Sequence, residues 1–232
     1  MASNKTYRRA SDLPDAIPLF PLAGAILLPG GQLPLNIFEP RYLAMFDDAM
    51  RGERIIGMIQ PEAGTDAGPG EAPPLRPVGA AGRITQLSET GDGRYFVVLS
   101  GIARFRVVTE IESPTPYRQA RVDFDSFAED FAPEETLSSA PLSSVNGENL
   151  RENLNVIAYD LAQALRLDIA RKDIEAMPDF DMIAVFAMIG PFNPAEKQAL
   201  LETPDLVSRA DLLLALAEVA LTRATNAVKP LQ

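Results

Sequence analysis

The chain has 232 residues, of which 47% are hydrophobic and 23% charged, enough for a sizeable core in one or two domains. It contains no His, no Cys and no Trp, which removes disulfides, thiolate and imidazole metal sites, Ser-His-Asp triads and Cys-His pairs. Residues 1–122 carry 13 basic and 13 acidic residues and residues 123–232 carry 8 and 19, so the whole net charge of -11 lies in the second part. An acidic surface repels phosphate backbones and anionic lipid, so neither a nucleic-acid nor a membrane partner is expected.

No apolar segment precedes Asp12 and Asp15, so no targeting segment is read at the start. From Ile17 to about Asp125 the pattern is β. Ile17-Pro-Leu-Phe-Pro-Leu is an apolar run punctuated by prolines, which suits a strand start or edge. Pro29-Gly30-Gly31 marks a turn, and Leu33, Leu35 and Ile37 then alternate on one face of a strand. Pro40 fits the first turn of a helix carrying Tyr42, Met45, Phe46 and Ala49 at helical spacing, and Gly52 ends it. Ile55–Ile59 reads as a short buried strand. Glu62–Arg76 is a long Pro- and Gly-rich loop, read as a tolerated insertion rather than a functional one. Strand character resumes over Val78–Thr90, turns at Gly91-Asp92-Gly93, and continues through Tyr95–Leu99 and Arg104–Val108, with Gly101 placed for a bend or bulge. Tyr117–Phe124 is the last strand. About six strands and one short helix, with turns at regular spacing, suggest a small closed or nearly closed barrel.

The composition changes at Ser126. Clustered acids and the Ser138–Ser144 run read as a linker over 126–146. After it the period is helical. Leu150, Leu154, Ile157, Leu161 and Leu165 form one stripe; Asp179 caps a segment through Ile189; Asn193-Pro194 is a helix start; and Leu206, Leu213, Leu216, Ala217 and Ala220 form a final stripe. The longest apolar stretch of this part, Met182 to Phe192, falls well short of the roughly 18 residues a membrane span needs. The fold class expected is α+β: a barrel over 15–125, the linker, and an all-helical bundle of four or five helices over 147–225. The absence of cysteine and of a leader makes the cytoplasm the expected location.

Among charged residues, Glu39 and Arg41 flank Pro40 at a strand-to-helix junction, where a charged pair locks the junction or holds a peptide. Structure is the favoured reading for Glu39, which is expected to pair with Arg104 or Arg106 or to cap the helix at Pro40. Most of Phe20, Phe38, Tyr42, Phe46, Tyr95, Phe96 and Phe105 should fill the barrel, with one or two left to line a groove. The acids Asp123, Asp125, Glu129, Asp130, Glu134 and Glu135 lack the loop spacing of a calcium site and read as a solvated linker. Neither a metal nor any other cofactor is expected. The barrel part holds Arg76, Arg83, Arg94, Arg104, Arg106, Arg118 and Arg121, so a basic face for RNA is the alternative to a protein-binding surface.

Ile17-Pro-Leu-Phe-Pro-Leu, Leu28-Pro-Gly, Leu33-Pro-Leu-Asn-Ile-Phe-Glu-Pro-Arg-Tyr, Val78-Gly, Asp92-Gly-Arg-Tyr and Gly101-Ile-Ala-Arg-Phe-Arg-Val together resemble the N-terminal, substrate-binding domain of Lon proteases. The helical half adds Lys197-Gln198-Ala-Leu-Leu-Glu202 and Arg209, and the resemblance spans about residues 15–225. It implies a PUA-like barrel followed by a helical bundle that recognises protein substrates without doing chemistry. No Gly-x-x-x-x-Gly-Lys-Ser/Thr loop and nothing like a Ser-Lys protease region is found. The expectation is a free-standing, non-catalytic binding module for unfolded or specific protein segments, an adaptor or regulator in protein quality control. Phe38, Arg41, Tyr42 and Tyr95 are its candidate peptide-binding residues, and Glu39, Arg104 and Arg106 its candidate structural ion-pair residues.

Overall fold

Alternating and β-branched runs form six strands in a computed structural model that describes residues 5–62, 72–132 and 150–227. They are β1 (Ala16–Pro21), β2 (Gln32–Ile37), β3 (Ile55–Pro61), β4 (Leu75–Glu89), β5 (Tyr95–Ile111) and β6 (Gln119–Asp123), with helix α1 (Pro40–Arg51) between β2 and β3. Their order is β2-β5-β4-β3-β1-β6, and β6 pairs with β5 as well as β1. Strands β5, β4, β3, β1 and β6 therefore close into a ring, and β2 lies along the first part of β5. The β1–β3 pair is parallel and the others are antiparallel.

The length of β5 makes this closure possible. Its first part, Tyr95–Ser100, pairs with β2, its last part, Arg106–Ile111, pairs with β6, and β4 pairs with it from Tyr95 to Arg106. The register between β4 and β5 shifts at Ala81/Gly82 and again at Ile84/Gln86, the irregularities that let a long strand bend round a small barrel. Gly101 sits at the first of these shifts. The turn Leu28–Gly31 is stitched to it: Gly30 N–H donates to the Gly101 carbonyl at 3.1 Å, and Gly101 N–H donates to the Gly31 carbonyl at 2.8 Å. A β-carbon at 101 would overlap the Leu28 carbonyl oxygen, so the approach requires glycine.

Ile17, Leu19, Ile55, Ile59, Ala103, Phe105, Ala120 and Val122 fill one core of the barrel. Residues Asp125–Phe131 belong to this unit as well. They were expected to begin a solvated acidic linker, but they form a 3-10 turn with Phe127 and Phe131 buried. Phe124 meets Phe105 and Phe131 edge to face, with centroids 6.2 and 6.4 Å apart. Phenylalanines at 124, 127 and 131 outweigh the acids between them, because burying each ring is worth roughly 1.5–3 kcal/mol. The remainder of the expected linker, 133–146, lies outside the described residues. The expected loop at 62–76 is described only at its ends, where Glu62 N–H donates to the Pro74 carbonyl at 2.8 Å.

One of the acids in that turn has a buried partner. Asp130 Oδ2 accepts from Arg104 Nε at 2.9 Å and from the Arg104 backbone N–H at 2.8 Å, while Oδ1 accepts from Nη2 at 2.8 Å. The two side chains are only 3% and 8% exposed. The guanidinium also lies 4.6 Å from the centre of the Phe127 ring. Arg104 is thus paired with Asp130 and not with Glu39.

This unit, Met1–Pro133, is one of two compact units, the second being Glu134–Gln232. In the second, α2 (Leu150–Ala164), α3 (Arg171–Glu175), α4 (Asp179–Ile189), α5 (Pro194–Glu202) and α6 (Leu206–Ala227) are described. The α2 stripe is buried at Leu150, Leu154 and Leu161, joined by Ala158 and Ala162, whereas Leu165 falls beyond the helix and is half-buried. Helix α4 is apolar nearly all round and is buried along most of its length. Asp179 is its first residue rather than its cap and binds Arg151 Nη1, while Nη2 of the same guanidinium donates to the Glu175 and Met177 carbonyls, both at 2.8 Å. Asn193 caps α5 as expected, in a reciprocal capping box with Glu196.

Removing one partner of the Arg104–Asp130 pair leaves a buried charge uncompensated, so Asp130→Ala is expected to cost about 3–5 kcal/mol in urea unfolding of the full chain.

Candidate functional site

The junction between β2 and α1 follows from its sequence. Leu35 and Ile37 turn into the barrel, Phe38 points out, and Pro40 starts α1 with its fixed φ. The Glu39 carbonyl accepts from the N–H groups of Tyr42 and Leu43 at 2.9 and 3.0 Å. Its side chain makes no cap bond; instead one carboxylate oxygen accepts from Arg41 Nε at 2.9 Å and forms an ion pair with Nη2 at 2.8 Å. The expected pairing of Glu39 with Arg104 or Arg106, or with the α1 N-terminus, is therefore replaced by a local, half-exposed pair. Arg106 is exposed and lies within electrostatic reach of Asp123.

Two of the four candidate peptide-binding residues meet at a pocket of about 300 Å³ on the barrel unit. Its walls are Pro21, Pro61, Pro73 and Pro116, with Arg41, Tyr42, Tyr117 and Arg118 between them. The Tyr42 ring packs edge-on against Phe20, centroids 4.4 Å apart, and the Arg41 guanidinium lies 4.5 Å from its centre. Burial pushes the Tyr42 phenol up from its ordinary pKa, with the charges of Arg41, Glu39 and Arg118 also acting on it. Arg118 is held by Glu110, through Nε at 2.8 Å and through Nη2, and by the Pro73 carbonyl, to which Nη1 donates at 2.7 Å. The Tyr117 hydroxyl donates to Asp48 on α1 at 2.9 Å. Burial first, and then this bond, push its pKa up to about 12.

Phe38 and Tyr95 are not among the residues lining the pocket. Phe38 is 61% exposed, with the Arg94 guanidinium 5.8 Å from its ring centre. The Tyr95 hydroxyl donates to Asp47 at 3.0 Å, and that bond raises its pKa. Sequence reasoning gave Tyr117 no site role and named Arg118 only as part of a basic face for RNA. Pro116-Tyr117-Arg118 repeats the composition of Pro40-Arg41-Tyr42, a proline followed by an Arg and a Tyr, and that echo was the available signal. Among the described residues there is no group of three or more acidic side chains placed to hold a metal ion, and no helix is long and apolar enough to cross a membrane.

A six-stranded barrel followed by a helical part is the architecture of two solved structures. One is a Lon N-terminal domain protein from Xanthomonas campestris, with a TM-score of 0.57 at 24% identity, covering 86% of this chain and 97% of that one. The other is the N-terminal domain of Mycobacterium avium complex Lon protease, with a TM-score of 0.63 at 16% identity, covering 88% and 98%. The profile of the ATP-dependent protease La (LON) substrate-binding domain matches residues 16–218, and the chain belongs to that family. It is 33% identical over 220 residues to Lon protease 2 of Myxococcus xanthus and 29% identical over 220 residues to the Lon protease of Anaeromyxobacter dehalogenans. These matches take in 88% of this chain but 24% and 23% of the relatives, so the chain spans about a quarter of their length.

Two outcomes are expected at this site. An exposed pair contributes about 0–1 kcal/mol, so Glu39→Gln should leave the melting temperature within a few degrees of the parent in a thermal scan. For Tyr117, the unfolded chain loses its phenolic proton near pH 10 and the folded chain keeps it to about 12. The folded state then holds more protons, so stability is full below pH 10 and drains as pH rises through that window. Tyr117→Phe should flatten that part of the alkaline loss in urea melts taken across it.

Proposed function

We propose that this protein is a non-catalytic protein- and peptide-binding module that works in the cytoplasm as an adaptor or regulator in protein quality control. The observation that carries the reading is the match of residues 16–218 to a domain family defined by substrate binding. The pocket supports it: a concave site with apolar walls and a few convergent polar groups is the usual form of a ligand site. Its proline walls are stiff and offer no N–H, so a peptide would be gripped by side chains. Unfolded or specific protein segments are the partners this reading implies, with no cofactor.

The RNA alternative is weakened by where the arginines go. Arg104, Arg118 and Arg121 are paired with Asp130, Glu110 and Asp15, Arg94 with Asp92, and Arg83 donates to the Tyr7 hydroxyl at 2.7 Å. A neutralised arginine releases few counterions from a phosphate backbone.

The purified chain is expected neither to hydrolyse ATP nor to cleave unfolded casein, and to retain reduced, fluorescently labelled casein in an anisotropy titration. Turnover that survives repurification and vanishes on a single substitution in this chain would contradict the non-catalytic reading.

A further inference from the structure

The donors around the pocket are not all spent. Arg41 uses Nε and Nη2 on one oxygen of Glu39, and its Nη1 edge has no partner among the described residues. Tyr42 is 7% exposed, lines the pocket, and its hydroxyl likewise has no hydrogen-bond partner among the described residues. A phenolic O–H that no protein group accepts from is available to a ligand. Two guanidiniums line the space, while the carboxylates paired with them, Glu39 and Glu110, are not among its lining residues, so N–H donors rather than acceptors face the proline rings.

Free guanidinium nitrogen, free phenolic O–H and a second, clamped guanidinium form a donor set for a carboxylate. Arg41 is already stacked on the Tyr42 ring, so its fork is ordered before a ligand arrives. Arg118, fixed at three nitrogens by Glu110 and the Pro73 carbonyl, keeps its guanidinium on the pocket wall without needing to move. The four prolines provide an apolar floor for the residues flanking the acid. A carboxylate accepts from several donors at once, whereas a protonated amine offers these donors no acceptor.

We infer that the pocket of Arg41, Tyr42 and Arg118 binds a carboxylate presented by a peptide, from an Asp or Glu side chain or from a chain terminus. The inference rests on the peptide-binding reading above and narrows it to a ligand chemistry. Arg41 and Tyr42 make the direct bonds; Arg118 is a fixed, already paired guanidinium on the wall; Glu39 holds the Arg41 fork in place.

An array of short random-sequence peptides, each printed with a free and an amidated C-terminus, tests this with the full chain and its Arg41→Gln and Tyr42→Phe variants. Circular dichroism melts check that both variants fold, and anisotropy titrations follow the best binders. Charge-assisted bonds are worth about 1.5–3 kcal/mol, so each variant is expected to weaken acid-bearing peptides by about tenfold or more. Binding that survives amidation and follows Asp or Glu content assigns the side-chain source. Binding lost on amidation assigns the terminus. Either result supports the inference. Peptides bound without acid enrichment, or acid-rich peptides held equally by both variants, overturn it while leaving the peptide-binding reading standing. No peptide bound anywhere overturns both. Poly-uridine RNA held more tightly than every peptide, with the same loss in Arg41→Gln, overturns it in favour of phosphate.

Discussion

The barrel depends on one strand meeting three others. Because β5 pairs with β2 over its first part and with β6 over its last, the ring closes without leaving β1 or β6 as an open edge. Closure of this kind needs bends, and the shifts in the β4–β5 register supply them. Everything near the bends is correspondingly tight. The turn at Leu28–Gly31 reaches the backbone of Gly101, and a few residues on, Arg104 turns its guanidinium to Asp130 under a cover of phenylalanine rings. The strand that closes the ring also carries the cation that fastens the segment leaving it.

The pocket is built differently from the core. Its walls are rigid because proline has one free backbone dihedral, and its polar side chains are ordered by neighbours that lie outside it: Phe20 behind Tyr42, Glu39 beside Arg41, Glu110 and the Pro73 carbonyl around Arg118, Asp48 behind Tyr117. Such a site loses little side-chain entropy when it binds, the condition under which a few contacts give useful affinity.

Most of the architecture was legible because it rests on period and punctuation. Leu33, Leu35 and Ile37 alternate, Pro40 opens α1, Gly91-Asp92-Gly93 turns β4 into β5, and Asn193-Pro194 opens α5. These are local signals with local causes. The Asp125–Phe131 turn was hidden because composition there is acidic, and only tertiary burial of three phenylalanines overrides it. The partner of Glu39 was misread for the opposite reason: a distant arginine was sought when Arg41 lay two residues away. Of the pocket, Arg41 and Tyr42 were found and Tyr117 and Arg118 were not. No pattern in one segment announces that a proline-flanked pair near residue 41 and another near residue 117 will face a common space; strand order brings them together.

The seam that closes the ring joins the two ends of its sequence. Ala16 pairs with Arg121 and Ile17 with Ala120, and every other strand lies between. During synthesis, β1 emerges long before β6 exists, and until then it presents one unpaired edge and an apolar run to its surroundings. Contacts of such large sequence separation form slowly, since the intervening chain must first be gathered in. The prolines at positions 18 and 21 deny that waiting strand the regular N–H ladder on which another nascent chain would pair. The same residues that punctuate β1 in the closed ring therefore guard it through the interval before β6 arrives.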